Sequence, residues 1–414
     1  MQYGCIAERL GHSFSPEIHA ELADYRYELC ELRPEEVEHF LKRGAFCGIN
    51  VTIPYKETVI PYLYEIDEAA REIGAVNTVV NRGGRLYGYN TDFYGMHAMI
   101  EYMSLALAGK KVAVLGTGGT SRTARAVAAS LGAREILVVS RTAREGVITY
   151  KELIERHTDT EILINTTPCG MYPHLEGRAV DVSHFPQLAG VLDAVYNPLR
   201  PRLVLDAMAR GIPACGGLYM LVAQAVRASE IFLDTAYPKD TTARVYRRLL
   251  AKKENIVLIG MPGCGKSTVG ALLANRLDRD LCDVDAEIVR TAGCSIPAIF
   301  EAEGEDGFRN LETRVICEQI AQANTQVIAT GGGAILRDEN VAALRRNGRL
   351  IFLDRPLCDL LPTPDRPLAT SAEAICRRYE ERYDRYRAVA DCIIPVTGGP
   401  QDVADAIEKE LFGT

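Results

Sequence analysis

No excess of positive charge marks this 414-residue chain: 47 Lys and Arg stand against 55 Asp and Glu, for a formal net charge of -8. Sequence-independent attraction to DNA, RNA or anionic lipid is therefore lacking, and an anionic ligand must be held by local basic groups. No nucleic-acid partner is expected. Nowhere is there an uninterrupted apolar stretch long enough to span a bilayer, and the opening MQYGCIAERLGH lacks a basic segment followed by an apolar run. No membrane partner and a cytoplasmic location are the expectation. The 12 Cys run from Cys5 to Cys392 without a C-x-x-C pair or a recurring spacing. That pattern argues against a disulfide framework and a structural zinc site, and it predicts small core residues in a reducing compartment. Internal repeats, low-complexity tracts and Gly/Ser or Pro-rich tethers are missing too, and nothing sets an oligomeric state.

What is present is ordinary globular composition, 47% hydrophobic and 25% charged, in a chain too long for one hydrophobic core. Three regions separate by pattern. Residues 1 to about 105 mix short apolar runs, CGINVTI (47–53) and GAVNTVV (74–80), with helical stretches such as PEEVEHFLKR, whose Pro34 suits a first helical turn. From Lys110 the order is strand, glycine turn, helix, strand: KVAVLG, TGGTS, RTARAVAASLG, EILVVS, then EILINTT and GVLDAVYN. That predicts a parallel, doubly wound unit. A second such unit begins at ENIVLIG (254–260), with further strands at QVIATGG and RLIFLD. The fold class is α/β: an α/β substrate domain over 1–105 with 225–253, a Rossmann dinucleotide domain over 106–224, and a P-loop domain with a parallel sheet over 254–414.

The run Gly116 to Ser121, GTGGTS, sits between an apolar strand and an Ala-rich helix. Gly116, Gly118 and Gly119 allow a tight turn, and backbone N–H groups, including that of Thr120, can approach a pyrophosphate at the helix N-terminus. At the end of the next strand, Ser140, Arg141, Thr142 and Arg144 stand where an NAD site would offer an acidic residue. Arginines there suit a 2′-phosphate, so NADP is preferred. In the first region, GHSFSPEIH (11–19) offers the hydroxyls of Ser13 and Ser15, NVTIPYK (50–56) offers Asn50, Thr52 and Lys56, and GYNTD (88–92) offers Asp92. A carbonyl receiving hydride needs a proton at oxygen, and an ammonium such as Lys56 beside Asp92 can supply it. Taken singly, Lys56 is a surface lysine and Asp92 a turn residue.

These clusters, in order, resemble shikimate dehydrogenase over about residues 1–253: H-S-x-S-P, N-V-T-x-P-x-K, G-A-V-N-T, N-T-D, the glycine turn, N-x-T-P-x-G-M (165–171), D-x-x-Y-N-P (193–198) and G-x-x-M-L-x-x-Q-A (217–225). The resemblance implies that Ser13, Ser15, Thr52, Asn77, Tyr196 and Gln224 grip substrate. It implies that Lys56 and Asp92 are the catalytic pair, and that the reaction is NADPH reduction of 3-dehydroshikimate to shikimate, forming NADP+. Four positions depart from the family pattern: Ala20, Phe93, Ser140 and Pro201.

GMPGCGKST (260–268) fits G-x-x-x-x-G-K-[ST] between a strand and the helix VGALLANRL. Backbone N–H groups of Gly263, Cys264, Gly265 and Thr268 would cradle nucleotide phosphates, Lys266 would reach the β and γ phosphates, and Ser267 would ligate Mg²⁺. A P-loop specifies nucleotide and leaves the acceptor open. Around it lie DVD (283–285), GEDGFRNLE (304–312), TGGGA (330–334), DRPL (365–368) and ERYDRYRAVAD (381–391). Read singly, Asp283 and Asp285 are loop caps, the glycines a tight turn, and Arg382 a surface charge. As a set they resemble shikimate kinase from about 254 to 414. By that resemblance Asp285, Arg309, Gly331, Gly332, Gly333 and Arg382 bind shikimate, Asp285 also orients or deprotonates the attacking hydroxyl, Asp283 helps to place Mg²⁺, and Arg366 comes from a short lid to meet the transferring phosphoryl group. Joined, the two resemblances imply a bifunctional enzyme of the shikimate pathway. The competing readings are a quinate-type dehydrogenase fused to another small-polyol kinase, and a chain in which one half is catalytically silent.

Overall fold

Apolar strands alternating with helices build three sheets in a computed structural model that describes residues 1–11, 13–360 and 371–413. The contacts divide the chain into two units, Met1–Leu249 and Leu250–Thr414.

The first sheet contains β1 (Tyr3–Ala7), β2 (Tyr27–Glu31), β3 (Gly48–Val51), β4 (Glu65–Ile66), β5 (Thr78–Arg82) and β6 (Arg85–Tyr89), in the order β2-β1-β3-β5-β6-β4. β1 runs parallel to β2 and β3, whereas β5 is antiparallel to β3 and β6. β5 begins at Thr78, later than the apolar run suggests. The N–H groups of Val76 and Asn77 are drawn instead to the carbonyls of Lys56 and Tyr89. Helices α1 (Ser15–Ala20), α2 (Pro34–Arg43) and α3 (Glu68–Ile73) accompany this sheet. α2 presents Val37 and Leu41 to a core with Ile6, Ile49 and Val79, and ends on Gly44 in the left-handed conformation. α4 (Thr91–Tyr102) then leads into the second sheet.

That sheet is parallel throughout. Its strands are β7 (Lys111–Leu115), β8 (Glu135–Ser140), β9 (Ile148–Thr149), β10 (Ile162–Asn165), β11 (Gly190–Asp193) and β12 (Ala214–Cys215), ordered β12-β11-β10-β7-β8-β9. This is the doubly wound order, with the switch point beside β7. α5 (Gly119–Ser130), α6 (Tyr150–Arg156) and α7 (Arg202–Ala209) cover its faces, and the central strands are buried along their length, as sheets covered on both sides require. α8 (Leu218–Leu233) returns to the first sheet and packs along α4. α9 (Thr241–Lys253) holds the division between the units.

The second unit is built on β13 (Asn255–Ile259), β14 (Leu281–Asp283), β15 (Val327–Ala329), β16 (Gly348–Asp354) and β17 (Cys392–Pro395), all parallel, in the order β14-β15-β13-β16-β17. Its helices are α10 (Lys266–Leu277), α11 (Val284–Ala292), α12 (Ile296–Val315), α13 (Asp338–Asn347), α14 (Ala372–Val389) and α15 (Pro400–Phe412). Gly304 interrupts α12 with φ +71°.

Eight of the twelve cysteines are buried or half-buried, as expected of small core residues, and four are not. Cys5 and Cys264 are buried, Cys47, Cys294, Cys358 and Cys376 are exposed, and none is in a disulfide. Helical rotation explains one of these: Ile375 of α14 points inward, so Cys376, about 100° further round, points out. Among the described residues no helix is long and apolar enough to cross a membrane.

Candidate functional site

In the first unit the polar clusters converge. Lys56 lies in the turns after β3, and its backbone carbonyl accepts the N–H of Val76 at 2.8 Å, which ties it to the segment bearing Asn77. Asp92 stands in the first turn of α4, where the helix dipole favours its negative charge. Asn90 caps that helix by accepting the N–H of Phe93 at 3.2 Å. Lys56 Nζ donates to Asp92 Oδ2 at 2.5 Å, with the two side chains only 15% and 11% exposed.

Around this pair Asn77 Oδ1 accepts the N–H of Thr91 at 2.7 Å, and its Nδ2 donates to Thr91 Oγ1 at 3.1 Å. Thr91 Oγ1 in turn lies 3.4 Å from Gln224 Oε1 on α8. Gly95 permits that approach, since a Cβ there would come within 2.7 Å of the Met220 carbonyl. Asn50 is fixed by Tyr27 OH (2.7 Å) and Thr78 Oγ1 (3.0 Å). Thr52 follows β3, its N–H donating to the Ile6 carbonyl at 3.1 Å. Ser13 donates to Ser15 Oγ at 3.1 Å. The Phe14 ring between them packs 5.3 Å from Tyr196, whose phenol burial pushes up.

The glycine turn opens beside the pair. α5 starts at Gly119 with Gly118 as its cap. A Cβ on Gly119 would lie 3.9 Å from Lys56 Cδ, and one on Gly118 would meet nothing within 4 Å. That open helix N-terminus fits a dinucleotide pyrophosphate. Beyond β8, Arg141, Thr142 and Arg144 are exposed and Ser140 and Thr120 half-buried, so the two guanidinium groups are available to a 2′-phosphate.

The second unit's cradle follows β13. Gly263 and Gly265 have φ +83° and +100°, and α10 begins at Lys266. Lys266 Nζ donates to the carbonyls of Gly260 (2.8 Å) and Met261 (3.0 Å) and lies 3.7 Å from Cys264 Sγ. Ser267 Oγ donates to Asp283 Oδ2 at 2.8 Å, while Asp283 Oδ1 caps α11 through the N–H of Ala286. Two hard oxygen donors at the mouth of a phosphate cradle fit Mg²⁺, and Thr268 is exposed beside them.

Gly331, Gly332 and Gly333 form the meeting point. A Cβ on Gly331 would fall 2.8 Å from Asp285 Oδ1 and 2.9 Å from Glu312 Oε1; on Gly332 it would strike Pro262 of the cradle, and on Gly333 the Arg309 guanidinium. Arg309 Nη1 donates to Glu312 Oε2 at 2.6 Å. Burial works against the Arg309 charge, but Glu312 and Glu305 outweigh it and raise its pKa. Burial likewise pushes the Glu312 carboxyl up. Arg382 is 5% exposed and donates to the Gly332 carbonyl at 3.2 Å; burial lowers its pKa. It is no surface charge. Tyr386 OH lies 3.0 Å from the Gly260 carbonyl and 2.5 Å from that of Gly332. Arg366 and the rest of DRPL lie outside the described residues.

Three groups take no role from the sequence, although two of them, Glu312 and Tyr386, stand inside its motifs. Glu312 sits three residues after Arg309 on α12, a spacing that puts both on one face. Tyr386 follows Arg382 by four on α14 for the same reason. Arg355, after β16, donates to the Gly263 carbonyl at 3.2 Å, and no periodicity announces it.

Comparison with known proteins covers both units. The family model for the shikimate dehydrogenase substrate binding domain matches residues 5–79, and that for shikimate kinase matches residues 262–412. A shikimate dehydrogenase (NADP(+)) of Clostridium perfringens is 38% identical over 265 residues, 60% of this chain and 97% of the relative. Among solved structures, a chorismate mutase/shikimate 5-dehydrogenase fusion protein from Clostridium acetobutylicum is 35% identical with a TM-score of 0.57, covering 60% of this chain and 96% of that one. The shikimate 5-dehydrogenase of Thermus thermophilus, solved with NADP(H) and shikimate, is 28% identical with a TM-score of 0.55, covering 60% and 99%.

Proposed function

The chain belongs to the shikimate dehydrogenase family and carries a shikimate kinase domain, and from that premise we propose a bifunctional enzyme of the shikimate pathway. Its first unit reduces 3-dehydroshikimate to shikimate with NADPH, and its second phosphorylates shikimate with Mg·ATP to shikimate 3-phosphate. The observation that carries the reading is the 2.5 Å Lys56–Asp92 pair facing the open N-terminus of α5. A proton donor and a dinucleotide turn are needed on the two sides of a carbonyl that gains hydride.

When bound, the nicotinamide supplies that hydride. Lys56 gives its proton to the carbonyl oxygen as negative charge develops there, and Asp92 holds the ammonium in place and stabilises it. Ser13, Ser15, Thr52, Asn77, Tyr196 and Gln224 hold the carboxylate and hydroxyls. Arg141 and Arg144 favour NADP+ and NADPH over NAD. In the second unit the cradle N–H groups and Lys266 hold phosphates, Ser267 and Asp283 would hold Mg²⁺, which would offset phosphate charge, and Asp285 orients or deprotonates the attacking hydroxyl. Arg309 and Arg382 clamp the substrate carboxylate, and Arg366 meets the transferring phosphoryl group. Twelve thiols without a disulfide fit a reducing cytoplasm.

A mass-resolved time course with 3-dehydroshikimate, NADPH and Mg·ATP tests this. Shikimate should appear first and shikimate 3-phosphate after it. Shikimate that accumulates unphosphorylated would refute the kinase assignment, and absence of both products the dehydrogenase assignment.

A further inference from the structure

Asn165 at the end of β10 and Asp193 at the end of β11 have no part in the reaction above. They are paired directly across neighbouring strands and are fully buried. Asn165 Nδ2 donates to both carboxylate oxygens of Asp193, at 3.0 Å each. Each partner also reaches outward. Asn165 Oδ1 accepts the N–H of Thr167 at 3.0 Å and its hydroxyl at 2.7 Å. The adjoining Thr166 Oγ1 donates to the Leu115 carbonyl and fills the space 2.7 Å from where a Cβ on Gly116 would stand. On the other side, Asp193 Oδ1 accepts the N–H of Val195 at 2.9 Å, and the Val195 carbonyl accepts that of Gly217 at 2.8 Å, at the entrance of α8. Tyr196 is the next residue.

A line of bonds therefore runs from the glycine turn through a buried amide and carboxylate to Tyr196 and the helix of Gln224. Two apolar side chains of the same volume would hold the strands together without the desolvation cost. What the polar pair adds is direction, since Asn165 Oδ1 accepts the donors of Thr167 on one loop and Asp193 Oδ1 that of Val195 on the other, while Asp193 Oδ2 is held by Asn165 itself. We propose that Asn165 and Asp193 are positioning residues that keep the dinucleotide turn and the Tyr196 loop in one register, aligning cofactor with the keto acid; this rests on the reductase reading of the first unit.

The arrangement suits an ionised carboxylate, which accepts all three N–H contacts. Burial pushes Asp193 up to about 7, against the bonds from Val195 and Asn165. The titratable groups facing it are the thiols of Cys169, after β10, and Cys215, on β12, both raised by burial. Protonation of Asp193 places a hydrogen on an acceptor and loosens the link as pH falls below about 7.

The test measures kcat and KM for 3-dehydroshikimate and NADPH in full-length wild type, Asn165→Asp, Asp193→Asn and the reciprocal double variant, with phosphorylation of added shikimate as an internal control. Each single change opposes like groups and should raise both KM values about tenfold or more, with kcat less affected. The double variant restores one amide and one carboxylate. Both KM values should return to within about threefold of wild type, and the inflection of KM near pH 7 should move, because the carboxylate then faces the donors of Thr167. A merely structural pair would give no such movement. The inference is overturned if the double variant, folded, is no better than the single ones, if the single variants keep wild-type KM values, or if the inflection does not move. Should a single variant not fold, the double variant decides on the same two readouts. Failure of the wild type to reduce 3-dehydroshikimate would instead strike the reductase reading, which the variants do not address.

Discussion

The two units solve one problem, holding a small anionic substrate against a nucleotide, with different materials. In the first, side chains hold side chains: Lys56 with Asp92, Asn77 with Thr91, Thr91 with Gln224, from segments up to 133 residues apart. In the second, main-chain carbonyls of two short loops anchor three of the cations, beside the side-chain pairs of Ser267 with Asp283 and Arg309 with Glu312. Lys266 bonds to Gly260 and Met261, Arg382 to Gly332, and Arg355 to Gly263. A site made of side chains can be disabled one group at a time, whereas a site made of loops depends on the groups that keep those loops in place.

The sharpest way to break this comparison is to remove one ammonium from each unit. Lys266→Ala should lower kcat/KM for phosphorylation by about 10³-fold or more and leave reduction within about twofold, and Lys56→Ala should do the reverse. Steady-state assays of both activities on each full-length variant would check it; loss of both activities from either change would contradict independent sites. A smaller effect is expected at Glu312. Glu312→Gln leaves the Arg309 guanidinium 9% exposed and without its closest counter-charge. We expect KM for shikimate to rise about tenfold and the second unit to lose about 3 kcal/mol, read by denaturant titration, with the first unit unchanged.

The mildest test concerns pH. Asp193 has a folded-state pKa of about 7, above its ordinary 3.8, so its burial costs nothing below about pH 4. The cost grows as pH rises to about 7, at close to 1 kcal/mol per unit. His19 acts with the opposite sign. Burial lowers it to about 3, so stability is lost as pH falls from about 6.5. The stability of wild type relative to Asp193→Asn should therefore decline steadily between about pH 4 and pH 7 in urea titrations of the first unit. A constant difference would show that Asp193 does not titrate in that range.

Legibility follows the same division. The phosphate cradle is contiguous, so nine residues from Gly260 to Thr268 announced strand, turn, helix and ligand together. The first unit's groups were legible as clusters because each occupies a short polar run, although only the fold brings Asp92 to Lys56. Asn165 and Asp193 stood inside two quoted motifs, yet their partnership depends on β10 lying beside β11, which no local spacing states. The four exposed cysteines escape the sequence for a related reason: hydrophobic character marks a residue as able to be buried, while the rotation of its helix or the edge of its turn decides whether it is.

Tyr386 carries one last consequence. Its hydroxyl has a single proton and two carbonyls within reach, Gly260 on the nucleotide side and Gly332 on the acceptor side. The loop that opens with Gly260 and the loop that holds Gly332 are thus bridged by one phenol. Because that phenol is fully buried, the two loops are tied from inside the unit, where solvent does not compete for the bond.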